Sequence, residues 1–175
     1  FWGKLLGRYI VVFLPVFLAM FGATLWSLVQ DIEVPWNMFL YYTGLLAAMA
    51  WCFLGIAMLL STLARSTDVA QGAAFVVWLA MLLFLDLILL GVMIQGHAAP
   101  EVAVMVALAN PLQVFRTAAL MLFDPQLIVL GPAAYVIMDT IGATGFMIYG
   151  LVYPLVIGTL CATAGYFVFR RGDLP

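Results

Sequence analysis

Charge is the scarcest property of this chain. Six basic and eight acidic residues are spread over 175 positions, where an ordinary soluble domain has about a quarter of its residues charged. So few charges cannot cover a water-exposed surface, which excludes a soluble monomer. Six basic residues against eight acidic ones leave no basic stripe to neutralise phosphates, which excludes nucleic-acid binding. Histidine and cysteine are nearly absent. His97 stands alone, so a bis-histidine haem within this chain is impossible, and Cys52 and Cys161 sit in separate apolar runs with no neighbouring thiol or imidazole. There is no H-E-x-x-H, no G-x-S-x-G and no G-x-x-x-x-G-K-[ST], so a zinc protease, a serine hydrolase and a Walker-type nucleotide site are all disfavoured.

Apolar residues are what the chain does have, at 67%. Disorder is thereby excluded, and an all-α integral membrane bundle is expected, because only helices satisfy their own backbone in lipid along such runs. About 20 apolar residues cross the hydrocarbon core. Four runs qualify: Tyr9–Val29, Trp36–Thr62, Val69–Ile94 and Phe146–Phe169. Lys4 and Arg8 ahead of the first run imitate a secretory signal, but the run is too long and lacks an A-x-A exit.

Four crossings put both ends of the chain on one side. Lys4, Arg8, Arg65, Arg170 and Arg171 fall on that side and Arg116 on the other, with Asp31, Glu33, Glu101, Asp124 and Asp139. Positive residues stay inside, so the termini are expected in the cytoplasm. Residues Gln95 to Gly145 then lie outside although they are mostly apolar. Within them Glu101–Ala109 is too short to cross. Asn110-Pro111-Leu112-Gln113 reads as a capped helix start, with the helix running to Phe123 and stopping at Asp124-Pro125. Gln113, Arg116 and Thr117 are expected on one face and Phe115, Ala119 and Leu122 on the other, the pattern of a helix lying in the membrane interface. Leu127–Asp139 is broken by Gly131-Pro132. An alternative topology makes Glu101–Phe123 a fifth crossing; Pro111 and the short return segment argue against it.

Few residues can carry chemistry. Asp86 lies inside the third span, where an ionisable side chain must face protein or water; it is a contact residue or a hydrogen-bonded packing lock. Met93, His97 and Glu101 are the residues a soft metal would meet, since methionine and imidazole suit copper. Ten methionines in one chain are more simply packing, so no metal site is assigned. Gly44, Ala48, Cys52 and Gly55 in the second span, and Pro154, Gly158, Cys161 and Gly165 in the fourth, are small residues spaced for close helix approach. Lys4, Arg8, Arg65 and Asp68 mark a cytoplasmic edge suited to a motor subunit.

The order of these parts resembles the ABC-2 class of ABC transporter permeases. The Gly3-Lys4-Leu5-Leu6-Gly7-Arg8 entry, the Arg65-Ser66 turn, the outer Asn110-Pro111-Leu112 helix and the Phe169-Arg170-Arg171-Gly172-Asp173-Leu174 ending carry the resemblance. It implies six spans, of which this chain holds the last four. The first two and their coupling helix would be missing. Residues Asn110–Thr117 and Met147–Pro175 are similar, within that class, to the permeases of nitrous oxide reductase maturation. That likeness implies a non-catalytic, homodimeric inner-membrane subunit with no cofactor of its own and ATP bound by a cytoplasmic ATPase partner. It also implies a periplasmic copper-handling partner docked on the outer segment, with Asn110, Pro111, Gln113, Arg116 and Asp124 as its contacts. An ABC-2 exporter of another substrate, a secondary transporter and a structural subunit of a membrane complex are the alternatives.

Overall fold

The computed structural model describes the backbone of residues 1–95, 100–124, 127 and 132–171, and the side chains of 1–83, 104–124, 127 and 134–171. Among these residues every regular element is an α-helix: α1 (Trp2–Val29), α2 (Trp36–Leu63), α3 (Thr67–Gln95), α4 (Pro100–Leu108), α5 (Pro111–Leu120), α6 (Pro132–Thr140) and α7 (Ala143–Arg171). The chain divides into two compact units, one of Phe1–Leu63 with Leu155–Pro175 and one of Ala64–Pro154. Helix α7 gives its first half to the second unit and its last half to the first. Helices α1, α2 and α7 are long and apolar enough to cross a membrane by length and composition. Helix α3 is equally long at 29 residues and apolar through Leu83.

The first unit shows how a helix keeps polar groups in an apolar medium. Hydroxyls bond back to the preceding turn: Thr43 donates to the Phe39 carbonyl at 2.7 Å and Thr163 to that of Leu160 at 2.9 Å. Each hydroxyl thereby spends its proton without leaving the helix. Pro15 lies inside α1 and Pro154 inside α7, and both helices continue through them. Helix α1 ends in a Schellman turn. Ile32 N–H donates to the Ser27 carbonyl at 3.0 Å and Asp31 N–H to that of Leu28 at 3.1 Å. Asp31 takes φ 56°, a left-handed conformation that Asp tolerates better than most residues.

Packing in this unit depends on small residues. A Cβ placed on Gly158 would lie 2.7 Å from the Cys52 Cα and 2.8 Å from the Trp51 carbonyl oxygen. One on Gly55 would lie 2.8 Å from the Gly158 Cα, and one on Gly165 3.1 Å from the Leu59 Cα. The two small-residue rows of α2 and α7 therefore meet backbone to backbone. Trp51 Nε1 spans the same contact, donating to the Thr159 hydroxyl at 3.1 Å. Leu5 of α1, Met58 of α2 and Ala162 of α7 form a buried cluster beside it. Helix α1 otherwise buries only Thr24, and its exposed surface is a nearly continuous apolar coat.

Candidate functional site

The second unit carries the three short helices. Helices α4, α5 and α6 have nine, ten and nine residues, so each is about 14–15 Å long, half of a ~30 Å hydrocarbon core. Segment 101–123 is not one continuous helix, because the chain breaks at Ala109-Asn110. Asn110 caps α5 as the Asn-Pro pair predicts. Its Oδ1 accepts from Leu112 N–H at 3.0 Å, which satisfies one orphan donor of the new helix. Its Nδ2 donates to the Met81 carbonyl of α3 at 2.6 Å. The side chain is only 8% exposed.

The other face of the break is held by α7. The Tyr149 hydroxyl donates to the Leu108 carbonyl at 2.9 Å, and the Tyr153 hydroxyl donates to the Ala109 carbonyl. These carbonyls have run out of helical N–H partners at the end of α4, so the two tyrosines act as its C-terminal cap. Their rings stack at a centroid distance of 4.9 Å. Sequence reasoning missed both. The available signal was the Tyr-x-x-x-Tyr spacing, which puts two hydroxyls on one helix face. Another missed pattern is Tyr9, Phe13, Phe17 and Phe21, whose rings stack one after another along α1.

Helix α5 buries Pro111, Val114, Thr117 and Ala118, continued by Met121 and Leu122. Thr117, expected on the polar face, is 2% exposed. The reason is geometric: α3 and α4 both pack on α5, and the buried arc between two neighbours is wide enough to include position 117. Arg116 stays exposed and Gln113 is half-buried, while Phe115 and Ala119, expected on the apolar face, are only half-buried. Among the proposed outer contacts, Asn110 and Pro111 therefore point inward. Asp124 closes the turn after α5, its N–H donating to the Leu120 carbonyl at 2.9 Å. The exposed surface here is apolar: Met105 is 72% exposed, Phe123 83% and Tyr135 79%. Helices α4 and α6 pack on one another. Gly142, at φ +72°, turns the chain from α6 into α7, and its carbonyl receives the Phe146 N–H at 2.9 Å.

The residues expected at a cytoplasmic edge fall in both units. Lys4 and Arg8 are one turn apart on α1 and exposed; Arg8 Nη1 donates to Met58 Sδ at 3.3 Å. Arg65 and Asp68 belong to the second unit and are exposed. Ser66 caps α3 there by accepting from Val69 N–H at 3.3 Å. Asp68 stands in the first turn, where its charge suits the helix dipole. The side chains of Asp86, Met93 and Glu101, and all of His97, lie outside the described residues. No group of three metal-binding side chains occurs among the described residues.

A chain of apolar helices with short capped helices between the third and last long ones is a multi-pass membrane protein. It belongs to the ABC-2 transporter family: the family model described as "ABC-2 family transporter protein" matches residues 1–174. Among curated proteins it is similar to the "Probable ABC transporter permease protein NosY" of Pseudomonas aeruginosa. The two are 30% identical over 128 residues, which cover 70% of this chain and 46% of that protein. The chain thus matches somewhat less than half the length of that relative. No solved structure matches it.

Proposed function

We propose that this chain is part of a non-catalytic permease subunit that passes the work of a cytoplasmic ATPase to a periplasmic copper-handling partner during copper-site assembly in nitrous oxide reductase. The relative named above motivates the permease role. The observation that carries the reading is the outer cluster. Of three helices too short to cross a bilayer, α5 is tied by Asn110 to α3 and the end of α4 by Tyr149 and Tyr153 to α7, while α6 packs on α4; Met105, Phe123 and Tyr135 of this cluster are exposed. Exposed apolar surface of this kind suits a protein partner or the membrane interface.

In this reading α1, α2, α3 and α7 cross the inner membrane as one half of a homodimer, with the termini of the chain cytoplasmic by the excess of Lys and Arg on that side. Lys4, Arg8, Arg65 and Asp68 meet the ATPase, which holds the ATP. On the outer side Gln113, Arg116 and Asp124 meet the periplasmic partner, and Asn110 and Pro111 position the helix that bears them. Asp86, an ionisable residue of the third span, is expected to meet protein or water there.

The test uses the full-length protein in its own cell. Loss of its gene is expected to leave nitrous oxide reductase present but short of copper, and a copper-replete, active reductase refutes the copper reading. Arg65→Glu is expected to weaken co-purification of an ATPase subunit. ATPase recovery unchanged by Arg65→Glu and by truncation of the inner edge refutes the motor contact. Asp86→Asn and Asp86→Leu, both with full reductase maturation, remove that residue from the mechanism.

A further inference from the structure

The first unit brings together two chain segments that the sequence separates by about the whole length of the protein. Phe1 packs on Tyr166 at a ring-centroid distance of 5.9 Å and on Phe169 at 6.1 Å, and Trp2 lies 6.3 Å from Tyr166. A Cβ on Gly165 would meet the Phe1 ring at 3.3 Å. This aromatic contact fixes the start of α1 against the end of α7. Lys4 lies one turn beyond Phe1, and Arg170 and Arg171 follow Phe169 directly; all three are exposed. The acidic side chains described in this unit are Asp31 and Glu33, beyond the opposite end of α1. Among the described residues of this unit, none carries a carboxylate at this end.

Below them the surface turns apolar at once. Trp2, Leu6 and Ile10 on α1, with Phe167 and Phe169 on α7, are exposed. Cations above, aromatic rings at the boundary and aliphatic side chains beneath are the profile of an interfacial site between helices. We propose that the junction of α1 and α7 binds an anionic phospholipid, its phosphate held by Lys4, Arg170 and Arg171 and its acyl chains lying along the exposed apolar side chains of α1. Charge complementarity selects an anionic headgroup. The apolar surface continuous with the cations selects a lipid over a free anion, since long side chains can reach the headgroup while their stems stay on the apolar surface. The lipid site is independent of any copper chemistry, and it competes with the ATPase for Lys4.

Full-length protein in nanodiscs of phosphatidylcholine with a minor share of phosphatidylglycerol provides the test, with the lipid retained after extraction measured by native mass spectrometry. Phosphatidylglycerol is expected to be enriched about five- to tenfold over its share in the disc. The triple variant Lys4→Gln, Arg170→Gln, Arg171→Gln is expected to lose the enrichment, and Lys4→Arg, Arg170→Lys, Arg171→Lys to keep it. Raising salt from about 0.1 M to about 1 M shortens the Debye length from about 10 Å to about 3 Å and is expected to lower the enrichment several-fold in the unaltered protein. That measurement stands even if the neutral variant does not fold. Enrichment absent from the unaltered protein, or equal in the neutral variant, overturns the proposal. So does displacement of the lipid by inorganic phosphate at constant ionic strength. Neutralisation that abolishes ATPase co-purification while leaving lipid selectivity untouched assigns the cations to the ATPase instead and overturns it as well.

Discussion

Gly158 is the most demanding position in the first unit, and adding one methyl group there is a quantitative test of the packing. The Cβ of Gly158→Ala would stand 2.7 Å from the Cys52 Cα and 2.8 Å from the Trp51 carbonyl oxygen. Both obstacles are backbone of α2, which no rotamer change can move. Ordinary carbon contacts begin near 3.5 Å, so the helices must separate locally by close to 1 Å. Overpacking of this kind costs about 1–3 kcal/mol. Separation also stretches the Trp51–Thr159 bond, 3.1 Å at present, and an interhelical hydrogen bond in a membrane protein contributes about 0.6 kcal/mol on average. The expected loss is about 2–3 kcal/mol, and 1.4 kcal/mol is already a factor of ten in an equilibrium constant. The assay is reversible unfolding of full-length protein in mixed micelles as the fraction of denaturing detergent rises. Gly55→Ala is expected to be at least as harmful, because its Cβ falls on the Gly158 carbonyl. Gly165→Ala is expected to cost less, since its nearest obstacle is 3.1 Å away and another is the Phe1 ring. Gly22→Ala and Gly72→Ala meet nothing within 4 Å and are expected to be neutral or slightly stabilising through helix propensity. Equal effects at Gly158 and Gly22 would refute the backbone-to-backbone crossing.

Asn110→Ala removes a cap and a bond to α3, an expected cost of about 1–2 kcal/mol, read as faster amide exchange at Leu112 through Val114; unchanged exchange contradicts the cap. Asn110→Asp keeps the acceptor for Leu112 but loses the donor to Met81, so it is expected to fall between Ala and the natural residue in the same measurement. Asp31→Val forces a β-branched side chain into φ 56° and is expected to destabilise the end of α1 by about 1–2 kcal/mol, whereas Asp31→Gly is expected to be harmless; the micelle assay separates them. Phe123→Cys, at a position 83% exposed, is expected to react with a membrane-impermeant maleimide on intact spheroplasts if the outer cluster is periplasmic, and protection that persists without partner proteins places it elsewhere.

Much of the fold is legible because lipid allows few solutions. Run length alone marks α1, α2 and α7, since backbone amides in an apolar medium must be paired within the helix. Pro100, Pro111 and Pro132 each open a short helix, as residues without a helical N–H should. The Gly and Cys spacing in α2 and α7 announces a close approach, and Gly55 and Gly158 make it. Other features depend on distant partners and leave no local trace. The burial of Thr117 follows from where α3 and α4 lie, which no periodicity within α5 encodes. The start of α1 meets the end of α7 through Phe1, Tyr166 and Phe169, rings that in sequence look like ordinary interfacial aromatics. The tyrosine cap on α4 joins residues 41 positions apart for Tyr149 and 44 for Tyr153, and a tyrosine in an apolar run says nothing about which carbonyl it will find.

The same tyrosines explain how nine- and ten-residue helices hold their shape at all. Helices shorter than about 12–15 residues are marginal in isolation, so α4 and α5 depend on ties at their ends. Those ties run in two directions from one break in the chain: Leu108 and Ala109 to α7, and Asn110 to α3. Hydroxyl-to-carbonyl hydrogen bonds span about 2.5–3.0 Å, so the Tyr149 contact at 2.9 Å tolerates little further slip. Within this unit, α7 therefore cannot shift along its axis relative to α3 without either dragging the end of α4 or releasing it. Tyr149→Phe with Tyr153→Phe removes both hydroxyls and leaves the ring stack in place. If the outer helices are moved through this cap, the double variant keeps its assembly and any ATP turnover of the full complex but loses its action on the outer side. If both functions survive, α4 is held by packing alone, and the tyrosines serve only to satisfy two carbonyls.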